Sequence, residues 1–144
     1  MIAWIFRHWH MLTRSTLLVY ASILMYLTHA PIPKAAARVT SQWDKSLHCI
    51  AYFILTMLCI LAFLNLKTGK HPKRRLLAWL LVFAALDEIL QGPVGRHPDV
   101  VDWMYDAIGI VLALLTAHLT GLWLKANQSL FTQYGLPQFN EVSQ

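Results

Sequence analysis

Asp99, Asp102 and Asp106 stand three and four residues apart in HPDVVDWMYDAIGIVLALL, residues 97–115, a segment that is almost wholly apolar from Ile108 onward. Acids at that spacing stack on one face of a helix. Stacked carboxylates can share a proton, or hold a hard cation such as Mg²⁺ or Ca²⁺ through their oxygens. Asp44, His48 and Tyr52 repeat at i, i+4 and i+8, and Glu88 and Gln91 at i and i+3. A histidine near Glu88 or Asp102 suits acid–base chemistry. Lys45 and Arg96 suit a phosphate or carboxylate head group. The candidate catalytic residues are therefore Glu88, His48 and Asp102, and the candidate substrate-binding residues are Lys45, Arg96, Gln91, Asp44 and Tyr52. The candidate metal ligands are Asp99, Asp102 and Asp106. No nucleophile announces itself, and nothing marks Ser46 beside the motif.

These groups lie at the ends of apolar stretches. The chain has 144 residues, 57% of them hydrophobic and 13% charged, where a soluble domain carries about 25% charge. Its mean hydropathy is +0.47. Four stretches stand out, at about Ser15–Ala30, Leu47–Leu66, Leu76–Gln91 and Val100–Leu124. At a rise of about 1.5 Å per residue, the second and fourth cross a hydrocarbon layer of about 30 Å. The first and third are at the short edge, which flanking residues or a thinned bilayer can accommodate. A soluble bundle would need polar outer faces, and LLAWLLVFAAL has none. The expected fold is all-α: an integral membrane four-helix bundle over residues 1–124, with a polar cytoplasmic tail over 125–144. Cys49 and Cys59 fall in apolar stretches and are expected as small buried hydrophobes, not a disulfide.

The first stretch is expected to stay as a helix, not to be cleaved as a signal peptide, because Pro31 and Pro33 crowd the cleavage region. With four spans, Arg7, Arg14, Lys67, Lys70, Lys73, Arg74, Arg75 and Lys125 share one side, which is eight of the twelve lysines and arginines. The positive-inside rule then places both termini and the KTGKHPKRR loop in the cytoplasm. That loop is a topology signal beside anionic lipid and calls for no nucleic acid. Six of the seven acids collect in one outer layer: Asp44, Asp87, Glu88, Asp99, Asp102 and Asp106.

Within that layer the bland readings compete with the functional ones. Helix neighbours point about 100° apart, so Glu88 is expected inward with Gln91, and Asp87 outward. Asp99 or Asp102 can cap the last helix and answer its dipole, which leaves Asp106 unexplained. A structural ion-pair network would join Arg96 to Glu88 or Asp102, and Lys45 to Asp106. Trp43, Trp79 and Trp103 are expected as interface anchors or packing groups.

DKSLHCIAYFIL, followed by EILQGPVGRHPDVVDWMYDAIGIVLALL, resembles the VanZ-like family of small bacterial membrane proteins. That family's pattern is Asp-Lys-x-x-His, then Glu-x-x-Gln, then Arg, then Asp and Asn on a final helix followed by Gly. Asp44, Lys45, His48, Glu88, Gln91, Arg96 and Asp102 match it, and Tyr52, Asp99 and Gly109 stand where similar sequences often have such residues. THAPIP looks like the proline-marked end of the first helix. The resemblance covers roughly residues 15–124. Asp106 departs from it, since the family usually has Asn there. The family takes its name from a protein linked to low-level resistance to teicoplanin, a lipidated glycopeptide acting on cell-wall precursors. The resemblance thus implies a cell-envelope setting in the bacterial cytoplasmic (inner) membrane, and no particular reaction.

The leading expectation is an outward-facing polar pocket that binds, and can act on, an anionic lipid-linked envelope precursor. An isoprenoid or phospholipid head group would lie at this depth, and hydrolysis or transfer at phosphate is the natural chemistry. The alternative is a non-enzymatic membrane protein that modulates antibiotic access or assists an envelope partner, its charged layer a structural ion-pair network. No cofactor is implied beyond a divalent cation.

Overall fold

The computed structural model describes residues 2–30, 43–63, 72–94 and 98–127. All of its regular structure is helical: α1 Ile2–His29, α2 Asp44–Phe63, α3 Pro72–Gln91 and α4 Val100–Ala126, with a 3₁₀ turn at Gly92–Val94. Each of the four long helices contains a segment long and apolar enough to cross a membrane.

The helix ends have local causes. α1 begins well before Ser15 because neither glycine nor proline interrupts residues 2–30. α3 opens on Pro72, where the absent N–H would have had no helical partner anyway. α4 is capped by Asp99. Its Oδ1 accepts the Val101 N–H at 2.8 Å, and its carbonyl accepts the N–H groups of Asp102 at 2.9 Å and Trp103 at 3.3 Å. An acid at this position satisfies donors that a helix start leaves unpaired. Arg96 and the tail after residue 127 lie outside the described residues.

The most extensive packing is between α2 and α4, with α1 against α2 and α3 against α4 next. Close approach explains the first. A Cβ on Gly109 would collide with the backbone carbonyl of Cys49, so only glycine lets the two helices meet there. The core gathers Leu17, Leu24, Tyr52, Leu55, Ala62, Leu80, Ala84 and Ile110. The Tyr20 hydroxyl donates to the Ala51 carbonyl at 2.9 Å, and the Arg14 guanidinium lies 5.7 Å from the centre of the Phe63 ring. These two contacts fix α1 antiparallel to α2.

The surface is the inverse of a soluble protein's. Leu18, Tyr26, Trp79, Ile89 and Val100 are each more than 60% exposed, while Asp87, Glu88 and Asp106 are buried. Exposed hydroxyls fold back on their own helices: Thr16 donates to Leu12, Ser22 to Leu18, Thr116 to Leu112 and Thr120 to Thr116, at 2.8–2.9 Å. Each hydroxyl on an apolar helix face is thus satisfied by its own backbone. Trp43 and Trp79 stand exposed. Trp103 is half-buried and donates its indole N–H to the Leu81 carbonyl at 3.3 Å. Cys49 and Cys59 are free thiols.

Gly109→Ala is expected to destabilise the fold by about 1–3 kcal/mol, since the added methyl has no room. Gly121→Ala, where a methyl meets nothing within 4 Å, is expected to be neutral or slightly stabilising. Melting both variants in detergent checks this, and equal melting temperatures for G109A and wild type would rule out the close approach.

Candidate polar site at one end of the helices

α1 and α3 finish, and α2 and α4 begin, at the same end of the molecule. The polar side chains meet there. At about 1.5 Å per residue, Asp106 lies about 9 Å beyond the start of α4. Tyr52 is about 12 Å beyond the start of α2. The layer is therefore about two turns deep.

Asp87 forms its inner floor. Its Oδ2 accepts the Tyr52 hydroxyl at 3.2 Å, and its Oδ1 accepts the Thr28 hydroxyl at 3.1 Å. His29 Nδ1 stands 3.7 Å from the same oxygen. Asp87 is 2% exposed and Glu88 6%. The expectation that Asp87 would turn outward is thus corrected. The two side chains do diverge, but α3 packs on both sides, so both directions are interior. Asp87 points to α1 and α2, and Glu88 to the start of α4.

Glu88 Oε1 accepts the Asp99 N–H at 2.5 Å and so ties the cap of α4 to α3. Among the described residues its buried Oε2 has no hydrogen-bond partner, and neither has the buried Nε2 of Gln91 or of His29. Beside Glu88, His48 Nδ1 is 2.9 Å from Asp106 Oδ1. With Asp106 ionised, Nδ1 carries the proton and donates it. Asp106 is 1% exposed, while Lys45 is exposed on α2. The expected Lys45–Asp106 pair is therefore replaced by His48–Asp106. The buried carboxylate takes the partner on the buried face of α2.

The helices thus bring together Asp44, His48, Tyr52, Glu88, Asp102 and Asp106. His48 belongs to two groups of close ligand atoms, one with Asp44 and Asp102 and one with Glu88 and Asp106. The stacked acids of α4 are divided by this arrangement. Asp99 serves as the helix cap and is in neither group, and Asp102 and Asp106 fall in different ones. Gln91 is buried next to this set on α3. Sequence reasoning missed Thr28 and His29 as members, and undervalued Asp87. Their signal was present in THAPIP, two polar residues closing an apolar helix at the level of the acids.

The fold and this site define a small all-helical protein with four helices apolar enough to cross a membrane and a buried carboxylate–histidine cluster at one end. In comparisons with known proteins, no family model, no curated protein and no solved structure matches the chain significantly.

Tyr52→Phe removes one of the donors to Asp87 and leaves its Oδ2 without that bond. A loss of about 1–3 kcal/mol is expected. Chemical or thermal unfolding in detergent measures it, and an unchanged stability would mean that the hydroxyl does not hold Asp87.

Proposed function

We propose that the chain is a four-span protein of the bacterial cytoplasmic membrane with both termini in the cytoplasm. Its polar end then faces outward and binds the anionic head group of a lipid-linked envelope precursor. The observation that carries this reading is the inversion of burial. Carboxylates and a histidine from several helices are drawn into the interior at one end, while leucines and tryptophans cover the outside. Ionisable groups within an apolar span are costly, so a cluster of them is by default a site. The excess of lysine and arginine on the other side of the spans supports the orientation. The likeness to VanZ-like sequences supports the envelope setting.

A head group entering at this end meets Lys45 first, then the His48–Asp106 pair. Lys45 is a charge donor to phosphate. His48, oriented by Asp106, can take or give a proton, so hydrolysis or transfer at the phosphate is the chemistry that fits. A second reading, non-enzymatic and structural, is favoured by one observation: both oxygens of Asp87 are hydrogen-bonded inside the fold. For Asp87 we adopt it.

Two measurements test the proposal. Purified protein in nanodiscs is titrated with a polyisoprenyl phosphate, and phosphate release is followed alongside. Saturable binding that weakens at least tenfold in His48→Ala is expected. Turnover would add an enzymatic role, and the absence of saturable binding would sink the head-group reading. Glu88→Gln and Asp102→Asn keep shape and remove charge. Both are expected to melt at or above the wild-type temperature, as neutralised functional sites often do. A fall of several degrees in both would assign those charges to the fold.

A further inference from the structure

Among the described residues at the polar end, the acids outnumber the cations. Among the described residues there, Asp44, Asp87, Glu88, Asp99, Asp102 and Asp106 face Lys45 as the one lysine or arginine, with His29 and His48 beside it. Two of the acids are accounted for. Asp87 is held by hydroxyls, and Asp99 caps α4. Asp106 is paired with His48 alone, and Glu88 has no cation partner among the described residues; both acids are buried.

Glu88, Asp106 and His48 each offer one ligand atom, and the three atoms lie within 4.8 Å of one another, all on buried side chains. Glu88 is 6% exposed, and its second oxygen is buried without a donor among the described residues. An ionised carboxylate oxygen left so in an apolar surrounding is strongly unfavourable unless a proton or a cation reaches it. The outer group of Asp44, His48 and Asp102 is different, because Asp44 and Asp102 are only half-buried. Water can balance them.

We propose that His48, Glu88 and Asp106 hold one divalent metal cation of the Zn²⁺ or Mn²⁺ class. The donor set decides the class. An imidazole nitrogen with two carboxylate oxygens suits these ions, whereas Ca²⁺ takes an all-oxygen cage and Mg²⁺ sheds water reluctantly. Spacing agrees. Metal–ligand bonds of about 2.0–2.2 Å put donors on one ion at most about 4.4 Å apart, within a small adjustment of the observed group. The ion takes the place of the proton between His48 Nδ1 and Asp106 Oδ1; an imidazolium gives that proton to solvent and a neutral imidazole carries its proton on Nε2 instead, so His48 binds as a neutral ligand. Two carboxylates and a +2 ion then balance in charge. The inference deepens the head-group reading and rests on it for its purpose: a phosphate repelled by bare acids finds a cation to bind.

The test uses the full chain without a histidine tag, purified in detergent, stripped by a chelator and then dialysed against Zn²⁺ or Mn²⁺. Bound metal is counted by elemental mass spectrometry, and affinity is measured by calorimetry. One ion per folded chain is expected. Glu88→Gln should weaken it at least tenfold and Asp44→Asn should leave it intact. For Mn²⁺ on the wild type, electron spin resonance should show coupling to one imidazole nitrogen, a readout that needs no variant to fold. The site is overturned if the folded wild type takes up no stoichiometric ion. It is also overturned if Glu88→Gln binds as tightly as wild type, or if Asp44→Asn abolishes binding while Glu88→Gln does not. Titrating polyisoprenyl phosphate with and without chelator separates the two ideas. Lipid binding that persists fully in chelator, with no metal taken up, overturns the site alone. Metal uptake without lipid binding supports the site and overturns the head-group reading.

Discussion

Buried carboxylates must find donors, and this constraint organises the polar end of the molecule. Asp87 and Glu88 are consecutive on α3, and both are interior. Each therefore recruits a different neighbour. Asp87 draws the Tyr52 hydroxyl from α2 and the Thr28 hydroxyl from α1. Glu88 draws the Asp99 N–H at the entrance of α4. Two adjacent acids on one helix thereby reach the other three. Between helices whose outer faces are apolar, little else is directional: packing alone lets them slide, and hydrogen bonds set their level.

α2 is the element on which the rest converge. Its stripe of His48, Tyr52, Leu55 and Thr56 is buried, and its backbone at Cys49 meets Gly109 of α4. The Thr56 hydroxyl turns back to the Tyr52 carbonyl at 2.7 Å, so the stripe ends without an unpaired group. The close approach at Gly109 has a consequence for the site. Gly109 is three residues past Asp106, so the backbone contact holds the start of α4 against α2. There His48 and Asp106 meet at 2.9 Å. Packing and polar pairing reinforce one another across this one interface.

Much of this was legible in the sequence because periodicity survives folding. The four helices follow from apolar runs, and the stripe of His48 and Tyr52 follows from spacing by four. The layer of acids follows from alternating helix direction. What spacing could not supply was the number of interfaces each helix makes. A helix packed on one side has one interior direction, and on that assumption Asp87 belonged outside. α3 packs on α4 and also touches α1, so its interior spans both acids. The partner of Asp106 was likewise hidden. Lys45 is the stronger cation, but it lies on the exposed face of α2, and His48, three residues on, lies on the buried one. The start of α1 was misplaced for a different reason, since hydropathy marks the apolar part of a helix and not its length.

The two acids on α3 also separate fold from function more sharply than their chemistry suggests. A network selected only for stability would satisfy every buried oxygen, because each one left alone is a cost that a neighbouring hydroxyl could remove. Asp87 meets that standard. Glu88 does not: one oxygen holds α4, and the other is buried and unmatched among the described residues, next to His48 and Asp106. Asp106 adds a further carboxylate on the same side. The fold offers this pair one shared histidine proton and no second cation from the described residues. A buried carboxylate oxygen with no donor among the described residues is what distinguishes Glu88 from Asp87. The proposed site therefore falls at the junction of α2, α3 and α4.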